Sequence, residues 1–369
     1  MKVLHVNAGN ETGGGKSHII GLLSQFDSTE AALLVFENGP VAEAAREAGI
    51  KLYIIEKKNK LDFSIFKKII SLVKKENFDI IHTHGPRANL FVRFVKSKLN
   101  VIWLTTIHSN PKFDFINQGI KGVIFTKLNI WTYKKIDYFL LITKDFEESL
   151  KELSVPENKL KPIFNAIEFL EEDLVNRKPL EHNSKKEFTL INVARLQPVK
   201  NQKLLLNALG ELSSMNFKLL IVGDGPLEEE LRALVEQLKL TKKVEFLGFR
   251  ADAAKLYSLA NISILTSISE GFPTVLLESA NYKIPAIATN VGSVNEIIPS
   301  SEIGWVVENE SKEELKKSIQ EAFLDFNSDK LAEKGNLFYN YSKENFSMNA
   351  LGKEIKEIYQ DQLNKNNKL

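Results

Sequence analysis

The sequence predicts two α/β domains in series, each a doubly wound parallel sheet with helices on both faces. Three observations carry this. The 369 residues exceed what one ordinary core organises. Short, near-continuous apolar runs alternate with segments of helical period, the pattern of parallel strands covered on both sides. The rhythm stops once, in a polar stretch, and then restarts.

In the first half the strand segments are KVLHVN (2–7), ALLVFE (32–37), KLYIIE (51–56), DIIHTH (79–84), VIWLTTIH (101–108) and YFLLIT (138–143). Helical periodicity falls on 17–26, 41–48, 64–76 and 87–97. The polar, Pro-containing stretch around 171–187 reads as a linker, which sets domains at 1–170 and 188–344. Strands resume at 189–194, 218–223, 244–249, 262–267, 285–289 and 304–307, with helices at 200–213, 226–238, 252–259, 273–282 and 311–325. The tail, about 345–369, is an amphipathic helix expected to pack back on the first domain. Two such domains imply a ligand cleft between them.

Composition narrows the function classes. Net charge is +2, so no global field points to nucleic acid. Residues 1–168 carry 24 Lys+Arg against 18 Asp+Glu, and the remainder 25 against 29. A basic first half suits an acidic partner or an anionic membrane surface, or is ordinary solvated lysine. There is no cysteine, which removes disulfides and thiolate chemistry and suits a reducing compartment. No apolar run is long enough to cross a bilayer, and the N-terminus lacks the pattern of a signal peptide. A cytoplasmic protein, peripheral at most, is expected. No His or carboxylate spacing along the chain matches a metal site, so no catalytic metal and no cofactor are expected.

Several turns carry chemistry-bearing residues. ETGGGKSH (11–18) joins the first strand to the first helix. Its glycines let the backbone approach a ligand, but it matches neither a Walker loop nor G-x-G-x-x-G. In NVARLQPVKN (192–201), Arg195 and Lys200 stand at a strand end and a helix start, where a diphosphate would want two cations. IVGDGP (221–226) is a second Gly turn, with Pro226 suited to the first helical turn. His108 ends an apolar strand and is expected at a ligand cleft. His82 and His84 have similar positions, and hydrogen-bonded or solvated imidazoles remain the alternative.

SEGFPTVLLES (269–279) places Glu270 in a turn and Glu278 about one turn into a helix that starts at Pro273 or Thr274. Helix amides would hold phosphate, and carboxylates accept well from sugar hydroxyls. The stretch therefore reads as a holder for a nucleotide sugar. Two solvated acids at a helix start are the plainer alternative.

Together these segments resemble the retaining glycosyltransferases of the GT-B fold, family four. EGFPTVLLE is similar to the family's E-x7-E signature, and ARLQPVKN to its G-R-L-x-x-x-K segment. IVGDGPLEEEL, VEFLGF, FNAIE and DIIHTHG follow family segments in order. Ala194 and Ala166 stand where the family has glycine. The resemblance implies that Gly14 and Gly15 approach the donor phosphates and the acceptor. Arg195 and Lys200 would bind the diphosphate, Glu278 the ribose and Glu270 the transferred sugar. Leu247 and Phe249 would line the base pocket, His108 would sit at the reacting centre, and Gly271, Phe272, Thr274 and Val275 would complete the donor set. It implies no metal, a nucleotide-diphosphate sugar (UDP favoured) as donor, and a glycan or lipid-linked acceptor. A same-fold epimerase and a non-catalytic sugar-binding subunit are the competing readings. One more segment, 112–135, interleaves Lys112, Lys121, Lys127, Lys134 and Lys135 with apolar and aromatic residues. It is expected either to contact an anionic membrane or to bury that apolar set in the core.

Overall fold

The structure, a computed structural model, describes residues 1–11, 14–56, 62–109, 119–170, 187–328 and 330–366. Residues 171–186 of the expected linker lie outside them. The chain divides into two units, Met1–Ala166 with Met348–Leu369, and Ile167–Ser347.

The first unit holds a seven-stranded parallel sheet. Its strands are β1 (Val3–Asn7), β2 (Ala31–Val35), β3 (Leu52–Ile54), β4 (Ile80–His84), β5 (Ile102–Ile107), β6 (Tyr138–Leu141) and β7 (Leu160–Pro162). They lie in the order β3-β2-β1-β4-β5-β6-β7. The helices α1 (Gly14–Leu23), α2 (Pro40–Glu47), α3 (Ser64–Glu76), α4 (Pro86–Val95), α5 (Gly119–Tyr133) and α6 (Asp145–Glu152) follow the strands in turn. Prolines at the starts of α2 and α4 lack an N–H that a first turn would leave unpaired anyway. β7 and α6 were not expected from the sequence. β7 is three residues and ends in Pro162, too short to show a period.

Strand alternation sorts the core. Leu4, Val6, Ile81 and Trp103 pack on one face, and Val3, Ile80, Ile102 and Leu104 on the other. That second face is covered by the C-terminal helix Met348–Asn366, through Met348, Leu351, Ile355, Ile358 and Tyr359. By the same alternation His5, His82, His84 and Thr106 share the face that receives Tyr359. The register places His5 beside His82, and His84 beside both Asn7 and Thr106.

The second unit has a six-stranded parallel sheet of β8 (Phe188–Val193), β9 (Phe217–Val222), β10 (Val244–Gly248), β11 (Ile262–Leu265), β12 (Ala286–Thr289) and β13 (Gly304–Val307). The order is β10-β9-β8-β11-β12-β13. In both sheets the order reverses between the first and fourth strands, and ligands of such sheets bind beyond the strand ends at that point. The expected helix 252–259 is a four-residue helix, Ala253–Leu256, followed by a single 3-10 turn.

Candidate functional site

In the second unit, the chain leaves β8 and turns through Ala194, Arg195 and Leu196. The glycines of IVGDGP hold this turn from below. A Cβ on Gly223 would lie 2.1 Å from the Ala194 carbonyl oxygen, and one on Gly225 2.4 Å from that of Leu196. Leu196 N–H donates to the Asp224 carbonyl at 2.7 Å, and Leu227 N–H to that of Leu196 at 3.1 Å. Two motifs that read separately in sequence form one interlocked support for Arg195. The Arg195 guanidinium is exposed and has no ion-pair partner among the described residues.

The loop bearing Glu270 is pinned from several sides. Lys200 Nζ lies 2.5 Å from Glu270 Oε1, and Ser267 Oγ donates to the same oxygen at 2.6 Å. Thr266 donates to the Lys200 carbonyl at 3.1 Å, and Ile268 N–H to that of Val199 at 2.8 Å. Ser293 N–H donates to the Gly271 carbonyl at 2.9 Å. Gly292 has φ +53°, and a Cβ there would lie 2.4 Å from the carbonyl oxygens of both Glu270 and Gly271. Only glycine fits that backbone at that approach.

The helix Thr274–Asn281 carries Glu278 one turn in and has no side-chain cap at its N-terminus. Leu276 N–H bonds to the Pro273 carbonyl, and the amides of Thr274 and Val275 ahead of it are open to an anion. Burial pushes the Glu278 carboxyl above its ordinary pKa. A cavity of about 390 Å³ gathers Arg195, Lys200, Phe249, Glu270, Phe272, Thr274, Val275 and Glu278. Leu247 and Gly271 are not on its wall. Leu247 packs toward the core around Tyr257, and the Gly271 carbonyl is turned to Ser293.

In the first unit, two adjoining cavities of about 510 and 240 Å³ share Glu11, Gly85, Pro86 and Asn129. The larger is walled by apolar groups of α4 and α5, including Leu90, Phe91, Phe125 and Leu128, with Arg87 at its edge. The smaller holds Gly15 and His108. Gly14 meets nothing, whereas a Cβ on Gly15 would lie 2.8 Å from Glu11 Oε2. Glu11 was missed in the sequence. A lone carboxylate ahead of a glycine run gives no periodic signal, yet it lies at both cavities, and burial raises its pKa. His82 and His84 are both fully buried, and His84 also borders the larger cavity. With His5 they form a group in which one ring nitrogen of each lies within 4.8 Å of the other two. Spacing along the chain could not show it, because the three come together only through the β1–β4 register.

Residues 12–169 match the family described as Glycosyltransferase Family 4, and residues 175–338 the one described as Glycosyl transferases group 1. The chain belongs to the group 1 glycosyltransferases. This glycosyltransferase is 24% identical over 269 residues to the N-acetyl-alpha-D-glucosaminyl L-malate synthase of Bacillus anthracis, a match covering 71% of this chain and 70% of that one. It is 28% identical over 214 residues to an N-acetylgalactosaminyltransferase of Campylobacter jejuni that acts on a diphospho-undecaprenol-linked sugar, covering 58% of each. It is 26% identical over 261 residues to the Escherichia coli UDP-Gal:alpha-D-GlcNAc-diphosphoundecaprenol alpha-1,3-galactosyltransferase, covering 67% of each. Its fold is that of Anabaena HepE, solved in complex with UDP, at TM-score 0.81 and 17% identity, covering 98% of this chain and 100% of that one. The lipopolysaccharide outer core galactosyltransferase WaaB gives TM-score 0.75 at 18% identity, covering 98% and 100%. The fold class is thus GT-B.

One surface of the glycosyltransferase's first unit is apolar. Along α5, Val123, Ile124 and Phe125 are 57%, 53% and 43% exposed. Lys121 and Lys127 are exposed beside them. Trp131 is exposed next to Phe94, with the Arg93 guanidinium 4.1 Å above its ring. Of this apolar set Val123, Ile124, Phe125 and Trp131 are exposed, whereas Leu128 and Ile130 are half-buried. Residues 112–118 of the segment lie outside the described residues. No helix among the described residues is long and apolar enough to cross a membrane.

Proposed function

We propose that this protein transfers a hexose or N-acetylhexosamine, with retention, from a nucleotide-diphosphate sugar to a glycan or lipid-linked acceptor, without a metal ion. The observation that carries the reading is the second-unit cavity. It joins two cations, an uncapped helix start and two carboxylates. Arg195, Lys200 and the helix amides suit a diphosphate, and Glu278 and Glu270 suit vicinal hydroxyls of ribose and sugar. UDP is the favoured nucleotide. HepE is solved with UDP, and the E. coli relative is named for a UDP-sugar.

The bond from the anomeric carbon to the diphosphate breaks as charge builds on the leaving oxygen, which the two cations and the helix stabilise. The acceptor oxygen bonds to the same face of that carbon, and its proton passes to the departing phosphate. The lipid-linked acceptor is favoured by the apolar 510 Å³ cavity beside Arg87 and by the exposed apolar and lysine residues of α5. The relatives acting on diphosphoundecaprenol-linked sugars point the same way.

A thermal-shift panel of nucleotide-diphosphate sugars tests the donor, because a bound donor raises the melting temperature by mass action. Release of free nucleotide diphosphate, dependent on added acceptor and unaffected by EDTA, tests the reaction. Loss of turnover in EDTA that Mg²⁺ or Mn²⁺ restores would overturn the metal-independent reading.

A further inference from the structure

Five of the chain's six histidines lie together at the smaller first-unit cavity, and four of them form a hydrogen-bonded line with Tyr359 and Thr106. His108 Nε2 is 3.2 Å from His84 Nδ1, and His84 Nε2 is 3.0 Å from His5 Nδ1. His5 Nε2 is 3.2 Å from the Tyr359 hydroxyl, which is 2.5 Å from His82 Nδ1. His82 Nε2 is 2.7 Å from Thr106 Oγ1. The line thus runs from His108 to Thr106, a residue that also borders the smaller cavity but is itself buried. Every member but His108 is buried.

Burial and mutual repulsion hold these imidazoles neutral: the pKa of His5 falls to about 3, and those of His82, His84 and His108 fall well below the ordinary value. A neutral imidazole has one N–H and one lone pair. The four inner groups, His84, His5, Tyr359 and His82, bring four protons to five links. The fifth comes from one end, either His108 or Thr106. The end that supplies it sets the direction of the whole line. Among the described residues the Thr106 hydroxyl bonds only to His82. A buried hydroxyl left without an acceptor is costly, so Thr106 donates. Each link then points outward: Thr106 to His82, His82 to Tyr359, Tyr359 to His5, His5 to His84, and His84 to His108 Nε2. His108 must carry its proton on Nδ1.

We propose that this buried line is a tautomer lock, which makes His108 a neutral Nδ1–H donor toward an oxygen in the cavity. Beside it, His18 is also held protonated on Nδ1, but its proton is already used within the protein. Asn165 Oδ1 accepts from Ala166 N–H at 3.0 Å, so it is the amide oxygen that lies 3.1 Å from His18 Nδ1. His18 therefore donates from Nδ1, and its buried Nε2 lone pair has no partner. The two rings stand edge to face at 5.0 Å. His108 lies on the cavity wall, so a ligand hydroxyl there would accept from its Nδ1–H, while the buried His18 lone pair stays behind it. The hydroxyl as ligand rests on the glycosyl-transfer reading. The tautomer assignment does not, so each can fail alone.

Histidine-selective ¹⁵N labelling of the full chain and long-range ¹H–¹⁵N spectra at neutral pH read the tautomers directly in the ligand-free protein, with His108→Gln assigning the signal. The expected result is His108 protonated on Nδ1. Thr106→Val, which keeps the shape and removes the fixed proton, is expected to let His108 populate both tautomers. It should also cost about tenfold in kcat/KM, the scale of one hydrogen bond. Tyr359→Phe cuts the line in the middle and should loosen the same signal. A charged or Nε2–H His108 in the wild type overturns the proposal, as does a His108 signal unmoved by both variants. So does stoichiometric Zn²⁺ that displaces the His5, His82 and His84 signals, since the three would then be ligands. Shifted tautomers with unchanged kcat/KM would keep the lock and remove the hydroxyl ligand.

Discussion

Lys200 Nζ and Glu270 Oε1 lie 2.5 Å apart, with side chains only 18% and 13% exposed. In the ligand-free protein the cation proposed for the diphosphate is therefore held by the carboxylate proposed for the sugar. A bound donor would sit between partners that already hold each other in place. Such pre-organisation lowers the cost of ordering the site.

Lys200→Ala and Arg195→Ala should each lower kcat by about 10²–10³-fold with a smaller loss of donor affinity, if both act mainly as charge develops on the leaving group. The two need not be equal. Lys200→Ala also leaves Glu270 without its cation, whereas Arg195 has no such partner among the described residues. Steady-state kinetics with donor calorimetry separates the effects. Losses confined to affinity would assign both cations to ground-state binding.

Glu278→Gln should weaken donor binding and stabilise the free protein at neutral pH. Hydrogen bonds to a charged acceptor are worth roughly 1.5–3 kcal/mol, which sets the expected loss in calorimetry. The stability gain follows from the raised carboxyl pKa. The folded state holds that proton more tightly than the unfolded one, so the ionised, buried carboxylate opposes folding above its folded pKa. As pH falls through that pKa the native side chain becomes neutral, and the melting difference between variant and wild type should shrink. A variant that binds donor normally would remove Glu278 from the ribose.

The histidines have the opposite sign. His5, His18, His82, His84 and His108 all have pKa values lowered from the ordinary 6.5. Below about that pH the unfolded chain takes up protons that the folded chain refuses. Thermal melts should therefore show stability falling as pH drops from 6.5, with several protons bound per molecule unfolded. A melting temperature flat through this range would mean that these imidazoles titrate alike in both states.

Much of the fold was legible because strands covered on both faces must be continuously apolar. Segments such as KLLIVG and GWVV have no other reading in an alternating chain. The second-unit cavity was legible for a different reason: Arg195 and Glu270 sit in the turns just beyond strands ending at Val193 and Leu265, and Lys200 and Glu278 in the helical segments that follow, where local sequence fixes position. What escaped was set by register and by distance along the chain. His5 reads as one polar residue inside VLHVN, and nothing near it announces β4 or Tyr359, 354 positions away. Gly292 supports Glu270 from another turn, and only the contact shows why it is glycine. The 112–135 segment was ambiguous because an apolar stripe beside lysines has the same composition whether it faces core or solvent.

That stripe yields the last prediction. With Val123, Ile124 and Phe125 exposed beside Lys121 and Lys127, α5 should bind anionic vesicles and leave neutral ones in solution. Each lysine near an anionic leaflet contributes about 1 kcal/mol, and the apolar side chains add area-dependent burial. Charge and burial can be told apart. Raising salt, or replacing Lys121 and Lys127 by Glu, should release the protein by weakening the electrostatic part. Ile124→Ser with Phe125→Ser should weaken binding at every salt concentration. Sedimentation with vesicles of phosphatidylglycerol, and of phosphatidylcholine alone, measures both. If α5 positions the enzyme at its substrate, the same variants should slow transfer to a lipid-linked acceptor and spare a detergent-dispersed short-chain one. Absence of binding to anionic vesicles at low salt would leave the exposed apolar face without a membrane role.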